Sequence, residues 1–125
     1  MTIQPKSQTL AEYPLERRRS KRVPMTFHIE VSGIDSKGRL FRDRTVTNDV
    51  SEGGCQFELT REIEARAPIS IQVVSSGGTP HHGSKPHLFE VARVEITKFG
   101  CMVGAMQLQP ANIWHMTFPL IRARR

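Results

Sequence analysis

Five of the six residues Arg17-Arg18-Arg19-Ser20-Lys21-Arg22 are cationic, and Arg18 and Arg22 stand four apart. In an extended chain that spacing sends both side chains to the same side, with roots roughly 13 Å apart. Two guanidinium forks at that separation can grip opposite edges of one dinucleotide-sized anion. Each fork bonds phosphate oxygens in pairs or stacks flat on a purine. The same fork matches the O6 and N7 acceptors of guanine. Taken by itself, the run also fits a solvated basic tail. A second group is Asp49-x-Ser51-x-x-Gly54. Two residues apart on a strand, the carboxylate and the hydroxyl share a face and can meet one planar ligand. A carboxylate accepts from the N1–H and exocyclic amino donors of guanine, and a serine hydroxyl serves base or phosphate. Gly53 and Gly54 let a backbone approach closely, and the pair reads as a turn or bulge that needs positive φ. By itself this group also fits an ordinary strand end with turn residues.

The elements that must position these groups are strands. Pro24 biases Val23 toward an extended conformation. Val23, Met25, Phe27, Ile29 and Val31 then alternate with Thr26, His28, Glu30 and Ser32, which is the pattern of a half-buried strand. Gly33 to Gly38 reads as a hairpin connection. The next strand runs from about Leu40 to Ser51, with Val46 and Val50 on one face and Thr45, Thr47, Asp49 and Ser51 on the other. Cys55, Phe57 and Leu59 mark a third strand and Ile69–Val74 a fourth. The stretch 75–87, SSGGTPHHGSKPH, is a long loop. Leu88–Thr97 and Cys101–Leu108 are two further strands joined across Lys98-Phe99-Gly100. Six strands with closely spaced turn signals predict an all-β fold, an antiparallel barrel or sandwich. In 112–121, Ile113, Trp114, Phe118 and Ile121 can cover one face of a short C-terminal helix, limited by Pro119. Residues 1–16 read as a flexible lead-in, 17–121 as the barrel domain with its arginine run, and 122–125 as a basic tail.

The chain has 125 residues, 38% apolar and 24% charged, which suits one globular domain. Its net charge of +6 sits at the ends. The first 22 residues carry +4, the last four carry +3, and the body between them is nearly neutral. A general nucleic-acid binder more often spreads basic residues over a folded face. With six Phe, one Tyr and one Trp, the chain is also poor in bases' stacking partners. The two cysteines, Cys55 and Cys101, exclude a disulfide framework and a four-thiolate zinc site, and read as small core residues. The first ten residues lack the apolar segment of a signal peptide, and no run is long enough to span a bilayer. The default compartment is the cytoplasm. His81, His82 and His87 lie without a nearby carboxylate or thiol at ligand spacing, so no metal centre is expected. No nucleophile elbow, phosphate-binding loop or HExxH occurs, and an enzyme is not expected.

The two motifs together, in this order, resemble the PilZ domain family, through ERRRSKRVP (Glu16–Pro24) and NDVSEGG (Asn48–Gly54). The strand pattern between them and Met102-Val103-Gly104-Ala105-Met106, similar to the family's last barrel strand, extend the resemblance to roughly Glu16–Leu108. Met106 stands where the family more often has an aromatic, and the 75–87 loop is longer than usual. The resemblance implies an all-β fold, a six-stranded antiparallel β-barrel, and binding of cyclic di-GMP, with no other cofactor. By that carry-over, Arg18 and Arg22 clamp phosphates and guanine faces, while Asp49, Ser51, Gly53 and Gly54 form the second side of a guanine site. Arg17 occupies the place of the extra arginine with which some members hold two stacked ligands. The implied mechanism orders the arginine run on the ligand and signals through a partner protein. A barrel binding single-stranded nucleic acid through its basic ends, and a ligand-free protein-interaction module, are the alternatives. Ligand stoichiometry and a homodimer stay open at this point.

Overall fold

The computed structural model describes residues 21–80 and 84–118. Arg17, Arg18, His81, His82, Pro119, Ile121 and the tail 122–125 lie outside them. Six strands form: β1 His28–Ile34, β2 Leu40–Ser51, β3 Gly54–Leu59, β4 Pro68–Val73, β5 His87–Ile96 and β6 Cys101–Gln107. They close into an antiparallel barrel in the order β1-β2-β3-β6-β5-β4. Alternation puts one face of every strand inside, so Ile29, Val31, Phe41, Val50, Phe57, Ile69, Ile71, Phe89, Val91 and Val103 fill a single core. Both thiols, Cys55 and Cys101, are free and buried, and burial pushes each above the ordinary thiol range. For Cys55 the nearby Asp49 carboxylate adds to that push.

One pole of the barrel carries the β1–β2 turn and the β3–β4 connection. Arg61 ties them together. Its Nε donates to Asp43 Oδ2 at 2.7 Å, its Nη2 to Asp43 Oδ1 at 3.1 Å and its Nη1 to Asp35 Oδ2 at 3.0 Å. The guanidinium also lies 4.8 Å from the centroid of the Phe41 ring. Asp35 Oδ1 accepts from the backbone N–H groups of Arg39 and Lys37, which forms the turn. Those donors, Arg39 first, with Arg61 beside them, hold the Asp35 carboxyl below the usual carboxylate range against the opposing effect of burial. A group whose folded value is depressed contributes stability that is complete above its unfolded value of about 3.9. That contribution is lost as pH falls through the folded value. Thermal midpoints measured from pH 7 downward are therefore expected to fall less steeply below about pH 4 in Asp35→Asn than in wild type. An identical acid limb in both proteins would count against this turn.

The other pole carries the β2–β3 turn, the β4–β5 connection, and the places where the chain enters and leaves the barrel. The expected first strand is shorter than its alternation suggests: pairing starts at His28, and Met25 is exposed. The C-terminal helix does not form over 112–118. Its apolar residues still serve, because Ile113, Trp114 and Phe118 are all buried. The Gln107 side chain occupies both backbone groups of Ala111, donating to its carbonyl and accepting from its N–H, each at 2.9 Å. Asn112 Oδ1 accepts the His115 N–H at 3.1 Å, and His115 sits at φ 56°, a left-handed value that stops a helix. The chain instead folds over the barrel mouth, with the Trp114 ring 5.0 Å from that of Phe27.

Candidate functional site

Asp49 and Ser51 lie at the end of β2, and what turns them outward is a bulge. Up to Thr47 the odd-numbered residues of β2 face inward: Phe41 and Thr47 are buried. Thr47 pairs with Phe57, but the next partners are Asp49 with Gln56 and Val50 with Cys55. The extra residue reverses the alternation, so Val50 enters the core and Asp49 and Ser51 reach the surface. The expectation that Thr45 and Thr47 share a face with Asp49 and Ser51 is therefore corrected: Thr47 is 1% exposed and points the opposite way.

Thr47 is the residue that sequence reasoning passed over. Its hydroxyl accepts the Phe27 N–H and donates to the Met25 carbonyl, both at 2.8 Å, while its own N–H donates to the Phe27 carbonyl at 3.0 Å. Three bonds thus fix the lead-in segment before β1. No sequence signal marks it, since a threonine in a strand is ordinary on either face. Farther out, Val23 and Val50 exchange backbone hydrogen bonds of 2.7 and 2.9 Å. Continuing that antiparallel register by one residue sets Arg22 opposite Ser51. Val23 packs against the core, so Arg22 faces outward on the side that carries Asp49 and Ser51. One half of the arginine motif and the whole of the second motif thereby share one surface. Arg17 and Arg18 lie outside the described residues.

Beyond Ser51 the outward positions of β3 and β6 alternate small and long residues: Gly54 and Gln56, Met106 and Gly104. Ser51 pairs with Gly54, Gly54 with Met106, and Gln56 with Gly104. The expected positive φ at Gly53-Gly54 is not found; among the described residues the left-handed glycines are Gly38 and Gly78. Gly54 is required for another reason. A side-chain carbon there would overlap the Ala105 carbonyl oxygen and lie 2.8 Å from Met106 Sδ. Gly53 faces no such contact, its nearest neighbour being Met106 Cε at 3.7 Å. Its carbonyl accepts the Gln107 N–H at 2.7 Å and anchors the turn to β6. The result is an outward face on which the Met106 side chain lies against Gly53 and Gly54. The carboxylate of Asp49 and the hydroxyl of Ser51 stand beside it, with Arg22 opposite Ser51. These groups suit an anionic ligand with amino donors. A roomier cleft of about 390 Å³, lined by Phe27, Val73, His87 and Trp114, contains none of the motif residues.

The PilZ domain family profile matches residues 16–111 of the chain. The chain belongs to the PilZ domain family. Its fold is also found in the solved structure of the Bacillus subtilis inhibitor of motility MotI/DgrA, at TM-score 0.55 and 12% identity. That match covers 76% of this chain and 44% of MotI/DgrA, so the chain spans less than half of that protein's length. The PilZ domain of CeSA from a cellulose-synthesizing bacterium matches at TM-score 0.49 and 19% identity, over 74% of this chain and 84% of that one. A search of curated protein sequences returned no match. PilZ domains are in general cyclic di-GMP receptors and adaptor modules, and the residues 16–111 matched in this PilZ chain include both motifs. Among the described residues, no group of three or more His, Cys, Asp and Glu side chains is placed to hold a metal. None of their helices is long and apolar enough to cross a membrane.

Proposed function

We propose that this PilZ domain is a receptor for cyclic di-GMP that signals through a partner protein. The observation that supports the reading is the Val23–Val50 bridge, which sets Arg22 opposite Ser51, next to Asp49 on the outward face of β2. Asp49 accepts from the guanine N1–H and amino group, and Ser51 bonds base or phosphate. Arg18 and Arg22 hold the phosphates, with Arg17 available to a second, stacked ligand. The two phosphates neutralise part of the Arg17–Arg22 charge and hold that run against β2. The run and ligand together then present a surface that the free protein lacks. In this reading the output is recognition, as in an adaptor module.

Calorimetric titration tests this, with cyclic di-GMP against cyclic di-AMP, GMP and a short single-stranded DNA. Saturable binding of cyclic di-GMP is expected. Each charge-assisted bond is worth about 1.5–3 kcal/mol, so Arg22→Ala and Asp49→Ala should each weaken binding by at least about tenfold. Absence of heat with cyclic di-GMP from folded protein would sink the receptor reading. Salt-sensitive DNA binding in its place would move function to the basic ends.

A further inference from the structure

The barrel has two bulges, and both turn a charged residue onto the same face. The first puts Asp49 outside, as described. The second lies between Val91 and Arg93 in β5, where Val91 pairs with Ala105 but Arg93 with Gly104. Phe89 and Val91 are fully buried, and Val94 packs against the core. Without the extra residue Arg93 would follow Phe89 and Val91 inward; with it, the guanidinium lies outside. The pairings then give one continuous row across four strands: Asp49, Gln56, Gly104 and Arg93. Arg93 leans over the glycine. A side-chain carbon placed on Gly104 would lie 3.7 Å from Arg93 Nη2 and 3.9 Å from its Cζ. Among the described residues its guanidinium makes no ion pair, although Arg61 on the same barrel makes two.

We propose that Arg93 is a specificity-determining ligand residue, reading the O6 and N7 edge of the guanine whose N1–H edge is held by Asp49. This rests on the cyclic di-GMP reading above. Adjacent strands lie about 4.8 Å apart, so Gly104 stands about 10 Å from Asp49 along the row. The guanidinium over Gly104 and the carboxylate at the other end are thus about one purine apart, and a purine between them would lie over the half-buried Gln56 with a hydrogen bond at either edge. A fork donating two N–H groups matches guanine, which offers two acceptors there. It opposes adenine, whose N6 amino group presents a donor in place of O6. Arg22 lies beside β2 and Arg93 on β5, with β3 and β6 between, so the ligand is held by separate parts of the chain.

Arg93→Ala and Arg93→Lys, titrated with cyclic di-GMP and cyclic di-AMP beside wild type and Arg22→Ala, test it. A bidentate base contact discriminates by an amount that corresponds to about 10- to 100-fold in affinity. Arg93→Ala should weaken cyclic di-GMP binding by that factor and narrow the preference over cyclic di-AMP. Arg93→Lys keeps the charge without the fork and should recover little of the preference. Arg93 is exposed, so the thermal midpoint of both variants should match wild type. Unchanged affinity and preference in Arg93→Ala would overturn the assignment, as would full recovery in Arg93→Lys. Wild type that binds no cyclic di-GMP would instead overturn the receptor reading, and this inference with it.

Discussion

Deleting Asn48 should cost the barrel at least about 4 kcal/mol and abolish cyclic di-GMP binding, while Asn48→Ala should do neither. Asn48 lies between the two registers of β2, where Thr47 pairs with Phe57 and Asp49 with Gln56. Removing one residue leaves a strand of unbroken alternation. Either Asp49 and Ser51 turn inward while Val50 turns out, or the stretch from Phe41 to Thr47 reverses. In the first case a carboxylate enters the core and a side chain that is 0% exposed leaves it. Exposing a valine costs about 1.5–3 kcal/mol, and burying an uncompensated charge costs several more. Against a typical total of about 5–15 kcal/mol, that brings the fold near its limit. The Asn48 side chain itself is exposed, with one weak hydrogen bond to Met102 Sδ at 3.3 Å. Urea denaturation of the two variants, followed by titration, separates loss of the residue from loss of its side chain. A deletion as stable and as ligand-competent as Asn48→Ala would refute the bulge as the device that presents the motif.

Trp114→Ala should cost about 3–5 kcal/mol, the usual range for emptying a buried tryptophan site. Trp114 is 3% exposed and packs on Phe27 at an interplanar angle of 37°. Its loss would open the 390 Å³ cleft still further, because the indole forms part of the wall. Trp114→Phe should behave very differently. Among the described residues, Trp114 Nε1 is the one buried side-chain nitrogen or oxygen without a hydrogen-bond partner. A buried donor left unmade costs about 1–3 kcal/mol, and phenylalanine removes that cost along with part of the ring. Its stability should therefore stay within about 1.5 kcal/mol of wild type. Equal damage from Phe and Ala would mean that the indole N–H has a role that packing does not explain.

Much of the barrel can be read from residue types, because Ile29, Val31, Cys55, Phe57, Leu59, Ile69 and Ile71 alternate as half-buried strands must. The two motifs stand out by side-chain type and spacing, and their ligand chemistry is what the titrations test. What alternation cannot report is an inserted residue. A period of two reads the same on either side of a bulge, so Thr47 looks like a companion of Asp49 when it faces the opposite way. Arg93 is hidden by the same ambiguity. The C-terminal segment misleads for a different reason. Its apolar spacing marks what is buried, but side-chain bonds from Gln107 and Asn112 to the local backbone outcompete the helix that could bury it. Gly54 shows a third limit: its need arises from the β6 backbone, half a chain away.

Both ends of the described chain leave the barrel at the pole that carries Asp49 and Ser51, with Phe27 and Trp114 in contact there. The Asp35–Arg61–Asp43 cluster closes the opposite pole. Any module joined on either side would hang from the end that carries the proposed ligand site, like two cords tied to one handle. A ligand that stiffens that end would change the angle between such neighbours without deforming the barrel.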